Sequence, residues 1–401
     1  MPLVGRAECP SSPPNAAERR RILFAIHSAK LGGAERLALL EAEDLKARFE
    51  LLLSIPDGPL RSRFAMHGEL VAAAATLPLW GGSAGRWARS SARTLLDAFN
   101  MARLIRRRKV ELVLTNSSVC FAPVLAARLA GVPVIVHARD VPRSRLAPLI
   151  MALHGRLAHT VIVISDGLAP YFRGGSRTRV VRIADGIAAS APEAGRARSA
   201  FGSPLRLCLV GGIDPRKGQD IAVSALAHLR ELGCDATLEL VGREVDERFA
   251  AAVRENARRV GVSEEVLFAG EVSDVRAHLD RADIVIAPSR GEWTPLALME
   301  ALSRSTPVVA SRVGGVADVV RDRESGLLVA PESPSELADA IAELRADPAG
   351  ARAMAERGRM LVDAHFRIER TLEGLQREID RLLDRGAGHP GRERRASRVV
   401  R

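Results

Sequence analysis

Aromatic residues are scarce, only 3% of the chain, with a single tyrosine and three tryptophans. Proteins that hold single-stranded nucleic acid stack bases on aromatic faces, so this composition argues against such a partner. The four cysteines, Cys9, Cys120, Cys208 and Cys234, lie far apart. They form neither a metal-ligand spacing nor the dense disulfide framework of small secreted domains, and a reducing cytoplasm is expected. No run of about 18 apolar residues is present, as a membrane-crossing helix would require. The nearest stretch, Val119 to Ala138, is broken by Pro123, Arg128 and Pro133 and reads as helix, turn and strand. The first twenty residues contain four prolines and no apolar core, unlike a signal peptide. The expectation is a soluble or peripheral cytoplasmic protein.

What remains is enough for a large fold. At 401 residues and 47% hydrophobic content, the chain is long enough for two domains with cores of Leu, Val, Ala and Ile. Short apolar strands alternate with helical stretches at Arg21–Ser28, Leu51–Ile55, Val110–Thr115, Val132–His137 and Thr160–Ser165. A second series follows at Leu205–Val210, Thr237–Val241, Val266–Phe268, Asp283–Ala287 and Pro307–Ala310. Such alternation marks parallel sheets built from βαβ units. The reading is an α/β protein with two facing, doubly wound Rossmann-like domains. Residues 1–20 form a tail, 21–187 a first domain, 188–204 a linker, 205–365 a second domain, 366–384 a helix crossing back to the first domain, and 385–401 a disordered basic tail.

The formal net charge of +11 suits an anionic partner or reflects a proteome rich in arginine. One cationic segment, Arg86 to Lys109, mixes arginines with apolar residues. It reads either as a helix resting on an anionic membrane or as an ordinary surface helix.

Glu292 and Glu300 stand in Pro-Ser-Arg-Gly-Glu-Trp-Thr-Pro-Leu-Ala-Leu-Met-Glu, with seven residues between them. They follow a buried-strand run. Thr294 is suited to cap a helix and Pro295 to begin it, which puts Glu292 in the preceding loop and Glu300 about two turns inside. A helix start after a parallel strand favours phosphate, and flanking carboxylates suit a ligand with hydroxyls. The alternative is an i, i+4 ion pair of Glu300 with Arg304. A second loop, Val210-Gly-Gly-Ile-Asp-Pro-Arg-Lys-Gly218, puts Arg216 and Lys217 at a helix start, where the dipole disfavours cations unless an anion lies between. Gly32 and Gly33 form a glycine turn after the first strand. His137 ends a strand, where ligands bind in this architecture.

Together these motifs resemble the retaining GT-B glycosyltransferases of the family 4 type (glycosyl transferases group 1), over roughly residues 21–383. Gly32-Gly33-Ala34-Glu35 resembles the family's N-terminal glycine loop, Val210–Gly218 its phosphate loop, and Glu292–Glu300 its paired-glutamate motif. Gly314-Gly315-Val-Ala-Asp318 with Gly326-Leu-Leu-Val329 resembles the end of its donor domain. The resemblance implies a nucleotide-sugar donor as substrate, with no cofactor and no metal. Glu292 and His137 would contact the sugar, Glu300 the ribose, and Arg216 and Lys217 the diphosphate. Gly33, Gly212 and the backbone of Leu296 and Ala297 would approach the donor, and Val272 would lie near the base. The first domain would bind a saccharide or lipid-linked acceptor at the inner face of a membrane. Two other readings are a nucleotide-sugar epimerase-like enzyme and a non-catalytic nucleotide-sugar-binding protein. The chain departs from the family pattern at Gly212, where an Arg is frequent, at Trp293-Thr294-Pro295, where a small glycine-containing stretch is usual, and at Asp318, where Glu is frequent.

Overall fold

The computed structural model describes residues 19–30, 32–74, 84–140, 147–172, 178–188 and 201–387. The N-terminal tail to residue 18, most of the expected linker and the basic tail from residue 388 lie outside these residues.

Two parallel sheets form the framework. The first contains β1 (Arg21–Ala25), β2 (Glu50–Ser54), β3 (Glu69–Val71), β4 (Leu112–Thr115), β5 (Val134–Ala138), β6 (Thr160–Val163) and β7 (Arg179–Arg182), in the order β3-β2-β1-β4-β5-β6-β7. The second contains β8 (Leu205–Val210), β9 (Ala236–Val241), β10 (Val266–Gly270), β11 (Ile284–Ala287), β12 (Val308–Ser311) and β13 (Leu327–Val329), in the order β10-β9-β8-β11-β12-β13. All pairings are parallel. The central strands are buried on both faces, which is why they read as unbroken runs of Leu, Val and Ile. Edge strands β3, β7 and β13 carry no such run and were not foreseen as strands. β3 and β13 have only three residues, and β7 is Arg-Val-Val-Arg. Short, charged edges limit pairing with other chains.

Strand order reverses between β1 and β4 in the first sheet and between β8 and β11 in the second. Ligands bind at the carboxyl ends of strands at such switch points. The loops following β1, β8 and β11 line one shared cleft.

The C-terminal helix Ile368–Ala387 crosses back to the first domain. Its Leu375, Ile379, Leu382 and Leu383 follow helical spacing and join the core formed by Ile22, Phe24 and Leu114. Thr371 Oγ1 donates to the Ala184 carbonyl at 2.9 Å, and Glu378 accepts from Arg179 Nε at 3.1 Å. Where the chain returns, Ile187 N–H donates to the Phe366 carbonyl and Ile368 N–H to the Ile187 carbonyl, both at 2.9 Å. Ile379 is fully buried. Its replacement by Ala removes methyl groups and leaves a cavity, so Ile379→Ala is expected to lower stability by about 3 kcal/mol. A shift of the denaturant midpoint checks this.

Candidate active site

The loop after β8 is shaped by its contact with the loop after β11. Gly218 has φ +71°, and a Cβ there would lie 2.0 Å from the Pro288 carbonyl oxygen, so both conformation and space require glycine. Asp214 Oδ1 accepts the Arg216 N–H at 2.8 Å, starting one tight turn, Pro215–Lys217, ahead of the helix Gln219–Glu231. The Arg290 N–H donates to the Arg216 carbonyl at 2.8 Å, joining the two loops. In consequence Arg216 and Lys217 converge on one carboxylate. Arg216 Nη1 lies 3.5 Å from Glu292 Oε2, and Lys217 Nζ is hydrogen-bonded to the same oxygen.

Glu292 is held from behind. Its carbonyl accepts the Gly315 N–H at 2.8 Å. Gly314 has φ +50°, and a Cβ there would stand 1.9 Å from that carbonyl oxygen. The Gly314-Gly315 pair therefore allows one backbone to lie directly against the other.

The helix after Glu292 differs from the sequence expectation. It spans Leu296–Ser303, with Pro295 as the flanking residue and no side-chain cap. Thr294 does not cap it: its hydroxyl donates to Asp185 Oδ2, in the first domain, at 3.3 Å. Glu300 consequently sits little more than one turn inside. It does not pair with Arg304, which binds Asp280. Glu300 Oε1 instead lies 3.9 Å from Arg36 Nη1 across the cleft. Burial raises the Glu300 carboxyl above its ordinary range, with Arg36 opposing. The Leu296 N–H is already donated to the Thr294 carbonyl at 2.9 Å.

The cleft has a volume of about 590 Å³ and is lined by both domains. From the second come Gly212, Val272, Leu296 and Ala297 together with both glutamates and the Arg216-Lys217 pair. From the first comes Gly33, where a Cβ would meet Leu296 Cδ1 at 2.8 Å, so the glycine turn lies tight against the opposite helix. A Cβ at Gly212 would meet Val245 Cγ2 at 2.7 Å.

His137 is the expected site residue that the structure does not bring to the cleft. It is fully buried, with Nδ1 3.1 Å from Glu41 Oε1 and Nε2 3.8 Å from Asp185 Oδ1. Side chains two apart on a strand share a face. Arg139, two residues further along, therefore takes the place at the cleft wall and leaves His137 one pleat beneath it. Arg139 Nε donates to both oxygens of Asp185 at 3.1 Å, and its Nη2 to Glu41 Oε1 at 2.5 Å. Burial disfavours the charges, but Arg139 and His137 outweigh it for Glu41 and hold that carboxyl at about 2. Asp185 and Glu41 likewise outweigh burial for Arg139, so it keeps its proton more tightly than usual.

Several residues facing the cleft were not singled out from sequence. Arg36, Arg139 and Asp140 adjoin motifs that were, and His27 lies at the end of the first strand run, whereas Asp185 had no flanking signal. His27 Nε2 lies 3.3 Å from Glu35 Oε1, and burial raises the Glu35 carboxyl. Asp140 accepts from the Ser117 and Ser118 hydroxyls at 3.2 and 3.0 Å.

Residues 204–347 match the family model described as Glycosyl transferases group 1. The second domain is a group 1 glycosyl transferase domain. Among curated proteins, the chain is 34% identical over 175 residues to the lipopolysaccharide core biosynthesis mannosyltransferase LpcC of Rhizobium leguminosarum bv. viciae, covering 43% of this chain and 50% of that protein. It is 37% identical over 194 residues to the D-inositol 3-phosphate glycosyltransferase of Acidothermus cellulolyticus, covering 46% and 43%. The chain thus spans about half the length of the curated relatives it matches. The fold likeness is wider. HepE of Anabaena, solved with UDP and glucose, superposes with a TM-score of 0.74 at 21% identity, over 90% of this chain and 100% of HepE. Sucrose-phosphate synthase of Thermosynechococcus elongatus gives 0.73 at 22%, over 91% and 100%. The glycosyl transferase domain and its partner therefore share the two-domain GT-B architecture of these proteins.

The buried ion cluster has a pH signature. Glu41 falls from an ordinary value of 4.5 to about 2 on folding, so its stabilising contribution is complete above pH 4.5 and is lost as pH falls towards 2. The unfolding midpoint is expected to drop across that interval. In Glu41→Gln it is expected to be lower at neutral pH and flatter in acid, as thermal denaturation at stepped pH would record.

Proposed function

We propose that this protein is a retaining, metal-independent glycosyltransferase that moves a sugar from a nucleotide-sugar donor to a saccharide or lipid-linked acceptor. The observation that carries the reading is the convergence of Arg216 and Lys217 on Glu292, with Glu300 in the same cleft. A donor diphosphate would take the cations from Glu292 and free that carboxylate for sugar hydroxyls, while Glu300 would bind the ribose. The amide of Ala297 and the approach of Gly33 and Gly212 would complete the phosphate contacts, and Val272 would border the base.

The chemistry follows from charge. The bond from the sugar's anomeric carbon to the phosphate oxygen breaks, and the bond to the acceptor oxygen forms. Arg216 and Lys217 stabilise the negative charge that develops on the leaving diphosphate. The family resemblance favours front-face attack, with the leaving phosphate accepting the acceptor's proton and configuration retained. His137 acts at one remove, by placing Glu41 and Asp185 around Arg139. The first-domain wall at Glu35 and Asp140 would meet the acceptor. Relatives named for lipopolysaccharide core and inositol phosphate glycosylation support a role in envelope or glycoconjugate assembly.

Thermal-shift measurements with UDP-, GDP- and ADP-sugars are the direct test. A donor at 100 times its Kd stabilises the fold by about 2.7 kcal/mol, and absence of a shift with every member would remove the reading. Lys217→Ala is expected to lower kcat about 100- to 1,000-fold, the range for losing one donor to a developing oxyanion. Glu300→Ala should chiefly raise the donor KM, and transfer should persist in EDTA. Unchanged kinetics in both variants would refute the assigned roles.

The acceptor side has a membrane-facing candidate. No helix among the described residues is long and apolar enough to cross a membrane. The helix Ala84–Arg107 nevertheless exposes Leu95, Leu96 and Phe99 at 62%, 58% and 51%. Arg103 stacks over Phe99 at 4.3 Å, and Arg93 and Arg107 are exposed on the same helix. Apolar anchors among arginines suit the surface of an anionic bilayer, on its cytoplasmic side, where a lipid-linked acceptor is held. Flotation with vesicles containing anionic lipid should show salt-sensitive binding that Leu96→Asp/Phe99→Asp weakens at least fivefold. Equal recovery with neutral vesicles would count against this surface.

A further inference from the structure

Trp293 belongs to the second domain by sequence but to the first by packing. It follows Glu292 directly, in the loop after β11, and lines the cleft. Its hydrophobic neighbours are the first-domain core cluster that includes Val163, Ile164 and Leu168, not either cluster of its own domain. A Cβ at Gly167, just beyond the carboxyl end of β6, would lie 3.3 Å from Trp293 Cζ3. The ring therefore rests close against this glycine, where any side chain would press on it.

The backbone beneath the ring is fixed on the opposite side. A Cβ at Gly315 would stand 2.2 Å from the Trp293 carbonyl oxygen, and the preceding carbonyl, that of Glu292, accepts the Gly315 N–H. The next residue, Thr294, donates to Asp185, which Arg139 holds by two bonds. Alongside, Arg182 Nη2 of the first domain lies 3.4 Å from Asp318 Oδ2, on the short helix that follows Gly315. Contacts from the first domain thus meet the second domain at the loop that carries Glu292. The sequence pattern of the resembled family leads one to expect a small residue here, which could make no such contact.

We propose that Trp293 is a positioning residue: its ring, seated against Gly167, makes the placement of Glu292 depend on closure of the two domains. A tryptophan suits this use because it supplies a large rigid surface with few rotatable bonds. When the domains separate, the ring loses its seat, and the loop that bears Glu292 keeps only the attachments of its own domain, to Gly314-Gly315 and to Arg216 and Lys217. When they close, the ring and Thr294 are gripped together, and Glu292 is braced from the first domain as well as from its own. The inference rests on the reading of Glu292 as a donor-binding group, but its geometry can be tested apart from turnover.

The experiment combines four variants of the full chain, Trp293→Gly, Trp293→Phe, Gly167→Leu and the double Trp293→Gly/Gly167→Leu, with small-angle scattering and transfer kinetics. Trp293→Gly and Gly167→Leu are each expected to raise the radius of gyration and to lower kcat at least tenfold, while donor KM changes less than threefold. Trp293→Phe should stay within threefold of the parent. The double variant refills the space from the opposite domain, so it should recover compactness and at least part of the lost kcat. Such non-additivity is the mark of two groups in contact. A Trp293→Gly protein as compact and active as the parent would overturn the proposal. So would a lowered unfolding midpoint with unchanged radius and kcat, which describes a merely structural residue. If the parent transfers no sugar, the function reading falls, and the scattering series alone decides this one.

Discussion

The first-domain face of the cleft depends on one buried charge. Arg139 is almost wholly enclosed, and it is tolerable there because Glu41 and Asp185 meet it from two sides. Removing one partner from such a cluster leaves an unmatched charge in a low-dielectric interior, at a cost of about 3–5 kcal/mol. The three groups come from distant places: the helix Gly33–Leu45, the carboxyl end of β5, and the segment after β7. Their mutual attraction fixes the glycine turn, the strand end and the chain leading out of the domain relative to each other. Asp185 then extends the cluster to Thr294, so the charge that organises one domain also bears on the Glu292 loop of the other.

The second cluster works in the opposite sense. Arg216, Lys217 and Glu292 line the cleft and are partly open to it. The Glu292 carboxylate keeps two cations from being left together without an anion, and on the proposed reading it stands in for a phosphate. On that reading it also sets a threshold, because a ligand would have to offer more negative charge than Glu292 does. Diphosphate meets that condition and a neutral sugar does not. The structure thus contains one ion cluster enclosed in a domain core and another that borders the cleft.

Much of this was legible in the sequence. Central strands announced themselves because burial on both faces demands apolar side chains throughout. The Glu292–Glu300 spacing and the Arg216-Lys217 pair were visible because each lies in one loop or helix turn. What was missed depends on partners far along the chain. Thr294 has the chemistry of a helix cap, and only the nearness of Asp185, 109 residues away, diverts its hydroxyl. His137 stands at a strand end, but which pleat reaches the cleft is decided by Arg139 and by packing against Glu41. The edge strands escaped notice because three or four residues are too few to leave a periodic signal.

The return of the helix Ile368–Ala387 to the first domain has a consequence for how the protein is made. Domains of a nascent chain generally fold in the order in which they are synthesised. Here part of the first domain's core, including Leu375 and Ile379, is encoded after the whole second domain. The second sheet, drawn from one continuous stretch of chain, can be completed while the first still lacks a covering helix. Of the two, the first domain is therefore the later to close its core, and its β1-side hydrophobic face lacks part of its cover until the helix Ile368–Ala387 arrives.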